Sequence, residues 1–191
     1  MYRRYDYLQY IMSEPESTDA TSNTDAPDPT ISVPAGHRSG YATLVGRPNA
    51  GKSTLLNALV GQKLAIVTRK PQTTRHRIVG ILNGENHQVV LLDTPGLLQP
   101  KYALQERMMV AVDRALTDAD VILFLADATR PADDEELAAI EGRNAILVLT
   151  KMDLIAREEA LPVADAFSKL REWDAIVPIS ATRGYNLDYL L

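Results

Sequence analysis

The chain has 191 residues, 46% hydrophobic and 24% charged, enough for one α/β domain with a buried core and short for two. It has no cysteine, which excludes disulfides and thiolate metal sites, and its three scattered histidines offer no ligand pair at metal spacing. The formal net charge of −5 is matched by residues 12 to 37 alone, where Glu14, Glu16, Asp19, Asp25 and Asp28 stand without a lysine or arginine, so overall acidity says nothing about the rest.

Residues 1–39 read as a disordered acidic extension. The opening MYRRYDYLQYIM carries four tyrosines and reads as an upstream extension, with Met12 the expected native start. From Ser13 to Gly40, Ser, Thr, Asp and Pro dominate, and too few large apolar residues are present to offset the entropy of ordering. No apolar run approaches the roughly 20 residues that cross a bilayer, and no secretory signal is present, so the protein reads as soluble and cytoplasmic.

Residues 40–191 read as one domain. YATLV (Tyr41–Val45) is a strand that runs into GRPNAGKS (Gly46–Ser53), and STLLNALVG continues as a helix with Leu55, Leu56 and Leu59 on one face and Gly61 closing it. A basic, irregular stretch follows from Gln62 to Arg77. IVGIL and QVVLLD are then two strands joined by the hairpin signal NGEN (Asn83–Asn86). VILFLAD (Val121–Asp127), AILVLTK (Ala145–Lys151) and AIVPISA (Ala175–Ala181) are almost wholly apolar, as suits parallel strands buried on both faces. Helical patterns lie between them over 102–118, 132–142 and 156–173, with Pro162 near the start of the last, where a missing N–H is best tolerated. This alternation predicts an α/β fold: a mostly parallel six-stranded sheet with one antiparallel hairpin strand and helices on both faces.

GRPNAGKS matches G-x-x-x-x-G-K-[ST] at every fixed position, between a strand and a helix, which makes this a P-loop NTPase fold. Gly46 and Gly51 let successive amides turn inward on phosphate oxygens, and the helix that starts near Lys52 adds its positive end. Lys52 reaches the β- and γ-phosphates, and Ser53 ligates Mg2+. Four further stretches choose the base and complete the metal site. TKMD (Thr150–Asp153) ends a buried strand, where open α/β sheets bind ligands. Asp153 there accepts two hydrogen bonds from guanine N1–H and its amino group, an edge that adenine lacks. ISA (Ile179–Ala181) ends the next strand and offers the Ala181 amide to guanine O6. DTPG (Asp93–Gly96) places Asp93 to hold Mg2+ through water and the Gly96 amide near the γ-phosphate. PQTTRHR supplies Thr74 to Mg2+ when the γ-phosphate is present. The nucleotide set is therefore Gly46, Asn49, Ala50, Gly51, Lys52, Ser53, Thr54, Asp93, Gly96, Thr150, Lys151, Asp153, Ser180 and Ala181; the catalytic set is Lys52, Thr74 and Gly96; the ligands are GTP or GDP with Mg2+.

With GRPNAGKS, PQTTRH, DTPG, TKMD and SA in that order, the chain resembles the P-loop GTPases from about Tyr41 to Leu191, and among them the Era GTPases closely. RKPQTTRHRIVGI (Arg69–Ile81) and DTPGLLQPKYALQERMM (Asp93–Met109) look like the two Era switch regions. Tandem GTPases of the EngA type are the alternative; they usually read P-G-V-T-R-D where this chain has Pro71 to His76, an alignment that places the metal threonine at Thr74 rather than Thr73. The Era resemblance implies a GTP-hydrolysing switch that acts in small ribosomal subunit assembly. It also implies small-subunit rRNA and the 30S subunit as partners through a KH domain, K+ bound with Asn49, peripheral membrane association of the full-length protein, and a monomeric G domain.

Three departures qualify what carries over. Thr150 stands where the motif usually has Asn, keeping one hydrogen-bonding group and losing another, so weaker guanine binding is expected. Leu97 follows DTPG where many signalling GTPases place a water-orienting glutamine, so intrinsic turnover is expected to be slow. The KH domain is absent, so the chain is expected to be a piece of a longer protein, its G domain cut within the last helix, NLDYLL. The rivals are a guanine-nucleotide interaction module without turnover and an ATP-using P-loop enzyme, which Asp153 argues against. Lys63, Arg69, Lys70, Arg75 and Arg77, with His76 among them, make either an RNA or effector contact or a solvated loop. Met108 and Met109 read as packing, Trp173 as a core or boundary residue, and ADDEELAAIEG as a solvated helix face.

Overall fold

Six strands form one sheet in the order β2-β3-β1-β4-β5-β6. They are β1 (Arg38–Val45), β2 (Ile78–Asn83), β3 (His87–Asp93), β4 (Val121–Asp127), β5 (Ile146–Thr150) and β6 (Ala175–Pro178). The edge pair β2–β3 is antiparallel, and every other neighbouring pair is parallel. The computed structural model describes residues 36–67, 74, 78–131 and 134–191, so the tyrosine-rich start, the acidic stretch and most of the basic segment lie outside the described residues.

The apolar strands sort by alternation into two cores, one on each face. Leu44, Leu91, Leu125, Val148 and Ile179 join Leu55 and Leu56 of α1 (Lys52–Val60) on the first. Leu187 and Leu190 of the short α4 (Leu187–Leu190) pack against the same face. Val45, Phe124, Leu147 and Leu149 meet Val112 and Leu116 of α2 (Ala103–Asp118) and Phe167 of α3 (Ala160–Ser168) on the second. Helices thus cover both faces, and the expected architecture is observed. The parallel strands all end on one side of the sheet, where ligands bind in folds of this kind.

The structure differs from the sequence reading in four places. Arg38 and Ser39, assigned to the extension, belong to the sheet: β1 starts at Arg38 because it pairs with β3 from Arg38↔His87 onward. ADDEELAAIEG is not a solvated α-helix, since residues 134–140 form a 3-10 helix whose Leu137 and Ile140 are buried in the second core. Three residues per turn place positions i and i+3 on one side, which suits that spacing. AIVPISA stays strand only to Pro178. The helical pattern over 156–173 becomes a 3-10 turn, Arg157–Glu159, followed by α3, with Pro162 in the first turn where its missing donor costs no bond. Met108 is buried, and Met109 is half-buried against the second core, as packing residues. Trp173 stacks near Phe124 and donates its indole N–H to the Phe167 carbonyl at 3.0 Å. Among the described residues no helix is long and apolar enough to cross a membrane.

Candidate nucleotide site

The loop after β1 is shaped by close approaches that only glycine permits. At Gly46 (φ 148°) an added Cβ would lie 2.3 Å from the Leu125 carbonyl oxygen. At Gly96 it would lie 2.5 Å from the Pro48 nitrogen, so the DTPG turn presses its backbone against the loop. The Gly46 carbonyl accepts from both the Lys52 Nζ at 2.8 Å and the Leu97 N–H at 2.9 Å, tying the two segments together. Lys52 is 6% exposed and donates a second bond to the Arg47 carbonyl at 2.7 Å. The start of α1 has no side-chain cap: Gly51 (φ 98°) occupies that position, which leaves the first amides of the helix to an anion.

Beside this loop three oxygens converge from three segments. Ser53 Oγ donates to Asp93 Oδ2 at 2.7 Å, Thr74 Oγ1 donates to the same oxygen at 3.2 Å, and the two hydroxyls are 3.1 Å apart. Asp93 is fully buried, and its Oδ1 has no hydrogen-bond partner among the described residues. Burial pushes the Asp93 carboxyl above its usual range, against the hydrogen bond from Ser53, the charge of Lys52 and the hydrogen bond from Thr74. An orphaned buried carboxylate oxygen beside two hydroxyls is a donor set for a hard divalent cation. Mg2+ takes one or two carboxylates and completes its shell with waters and substrate phosphates, and Asp93 with the two hydroxyls is a set of that kind.

At the other end, TKMD distributes three side chains in three directions. Thr150 is buried, and its hydroxyl donates to the Ala50 carbonyl at 2.7 Å and the Ala126 carbonyl at 3.1 Å, clamping the P-loop to β4 and β5. Lys151, in left-handed backbone (φ 61°), reaches Asp127 Oδ2 at 2.6 Å. Asp153 is exposed and receives Ser180 Oγ at 2.6 Å; that hydrogen bond holds its carboxyl below the usual range and outweighs desolvation. Asn49, Gly51, Lys52, Ser53, Thr54, Thr74, Gly96 and Lys151 line one cavity of about 380 Å³. Asp153 and Ser180 line a neighbouring groove, and Ala181 packs against the first core.

The family model described as 50S ribosome-binding GTPase matches residues 41–151. The chain belongs to this GTPase family. Era of Syntrophus aciditrophicus (strain SB) is 42% identical over 159 residues, 81% of this chain and 52% of that protein. A crystal structure of Era in complex with MgGDPNP and nucleotides 1506–1542 of 16S ribosomal RNA matches with a TM-score of 0.76 and 43% identity, over 81% of this chain and 55% of that one. Aquifex aeolicus Era in a variant bound to GDP·AlF4− matches with a TM-score of 0.75 at 43% identity, over 80% and 54% of the two chains. The chain spans about half the length of the curated relatives it matches.

In this GTPase domain the sequence reading missed three contributors. Arg130 lines the cavity after β4 and Asp127 holds the cavity's Lys151, and an Asp at the carboxyl end of a parallel strand was the available signal. Asn57 ties helix α1 to the segment beyond it: its side chain accepts from the Leu64 and Ala65 amides at 2.9 and 2.8 Å and donates to the Ala65 carbonyl at 2.9 Å. Nothing in the sequence marked it. Lys63 is exposed, whereas Arg69, Lys70, Arg75, His76 and Arg77 lie outside the described residues. Thr150→Val keeps the shape and removes the clamp, leaving a buried P-loop carbonyl unpaired. Unfolding by urea is expected to show a loss of about 1–3 kcal/mol, with GDP affinity falling alongside.

Proposed function

We propose that residues 38–191 form a GTP-binding switch domain that hydrolyses GTP to GDP and phosphate. The observation that carries the reading is the convergence of Ser53, Thr74 and Asp93 in one oxygen cluster beside the P-loop. Bound there, Mg2+ would supply positive charge against the oxygens of the transferring phosphoryl group. Lys52 and the amides of the loop bind the phosphates and offset charge that develops on them. Thr74 and the Gly96 amide are assigned to sensing the γ-phosphate, so that its loss releases both switch segments. Asn49, left-handed at φ 66° and on the cavity wall, is assigned to K+. Asp153, with the Ala181 amide, is assigned to the guanine edge.

For the whole protein we propose the Era role, small ribosomal subunit assembly in the cytoplasm, with small-subunit rRNA and the 30S subunit bound outside residues 38–191 and the G domain monomeric. The Era structure that holds nucleotides 1506–1542 of 16S ribosomal RNA supports this. Peripheral membrane association of the full-length protein belongs to the same reading. Leu97 favours the rival without turnover, because its half-buried side chain packs into the second core and offers no group to orient water. Phosphate release from GTP in Mg2+ and K+ decides between them: slow release by the wild type above a Lys52→Ala control supports the enzyme. Equal release from both sinks it in favour of the module.

A further inference from the structure

We infer that Asp127 is a positioning residue for the purine: from the end of β4 it holds Lys151 stretched along the cleft, so that the lysine's methylene chain walls the base site. The inference rests on the guanine-nucleotide reading above and adds a residue to it. Asp127 Oδ2 meets Lys151 Nζ at 2.6 Å, and the Asp127 side chain is 9% exposed. Its other oxygen, Oδ1, receives the Thr129 N–H at 3.0 Å and the Thr129 hydroxyl at 2.7 Å, which fixes the carboxylate plane. Burial acts to raise this carboxyl, but the hydrogen bonds from Lys151 and Thr129 and the charge of Lys151 outweigh it and hold the group below its usual range. Arg130, its side chain 58% exposed, approaches Oδ2 only to 3.9 Å, so the tight partner is Lys151.

The backbone explains why a tether is useful. Left-handed Lys151 sits between Thr150, which is committed to the P-loop, and Asp153, which is committed to Ser180. Its side chain lines the cavity together with Gly51 and Thr54. An untethered lysine loses rotamer freedom each time a ligand packs on it; one pinned at both ends has already lost it. A stem pinned in this way would offer its four methylenes to the base and keep its charge at the far end.

The test uses the whole chain, with GDP and GTP titrated by calorimetry in Mg2+ buffer. Asp127→Ala is expected to raise both dissociation constants about tenfold, because the wall serves the base that the two nucleotides share. KM for GTP should rise in proportion while kcat falls less than threefold. On a Lys151→Met background the same change should add less than twofold, since the tether is already gone. Affinity unchanged by Asp127→Ala, an equal tenfold loss on the Lys151→Met background, or a loss confined to GTP would each overturn the inference. The second of these would mean that Asp127 acts through its own turn. If Asp127→Ala does not fold, Asp127→Asn keeps the acceptor for Thr129 and is expected to weaken GDP binding with little change in Tm. Wild-type protein that fails to bind GDP overturns the parent reading instead.

Discussion

Lys52→Ala is expected to weaken GTP and GDP binding by about a hundredfold or more and to abolish phosphate release, while the folded domain survives. Two carbonyls lose the ammonium, but each keeps a main-chain partner: Gly46 O retains the Leu97 N–H at 2.9 Å and Arg47 O retains the Ala50 N–H at 3.2 Å. Neither is left orphaned, so the cost to the fold is small, about 1 kcal/mol, offset by no longer burying a charge. Binding has no such reserve. Charge-assisted bonds from an ammonium to phosphate are worth about 1.5–3 kcal/mol each, and no other lysine is buried beside the loop among the described residues. Lys52→Met should fail equally, because the charge is what binds and the stem only delivers it. Titration calorimetry with thermal melting checks both halves. A GDP affinity within tenfold of the wild type would sink the P-loop assignment.

Asp153→Asn is expected to exchange the base preference from guanine to xanthine. Guanine presents two donors, N1–H and the 2-amino group, and an ionised carboxylate accepts both. The asparagine amide offers one acceptor and one donor, so its NH2 faces the amino group donor to donor. Xanthine carries a carbonyl at that position and pairs with the amide. A site left with mismatched polar groups rejects a ligand strongly, so GDP affinity should fall by about a hundredfold or more, with XDP binding tighter than GDP. Competition against a fluorescent guanine nucleotide measures this, and unchanged preference would remove Asp153 from the base site. The same geometry fixes the pH response. The Ser180 bond lowers the folded carboxyl, so its negative charge is lost only as pH falls through a value below the usual range. Across about pH 5 to 8 this group should therefore leave GDP affinity flat.

Much of the site was legible because its signals are local. Gly46, Gly51 and Gly96 stand where backbones touch at distances that admit no Cβ or where φ is positive, and such demands can be met only by residue type. The apolar strands announced themselves because both faces of a central parallel strand are buried. What could not be read were side-chain bonds between distant segments. Thr150 stood out only as a departure from an asparagine; that its hydroxyl grips the Ala50 carbonyl is set by how β5 lies under the loop. Asn57 and Asp127 have ordinary sequence neighbours, and their partners come from tertiary placement. The 3-10 segment 134–140 was misjudged because its charged residues dominate the composition, while Leu137 and Ile140 decide its packing.

The Thr150 clamp also bears on when during synthesis the domain becomes functional. The hydroxyl lies 100 positions downstream of the carbonyl it holds. β1, which carries the loop, is flanked by β3 on one side and β4 on the other. A nascent chain that has released GRPNAGKS from the ribosome therefore owns the phosphate motif without its support, and long-range closure of this kind forms late. Ligand capture belongs to the end of the domain's biogenesis: polypeptides terminated before residue 150 should emerge empty, however intact their first hundred residues.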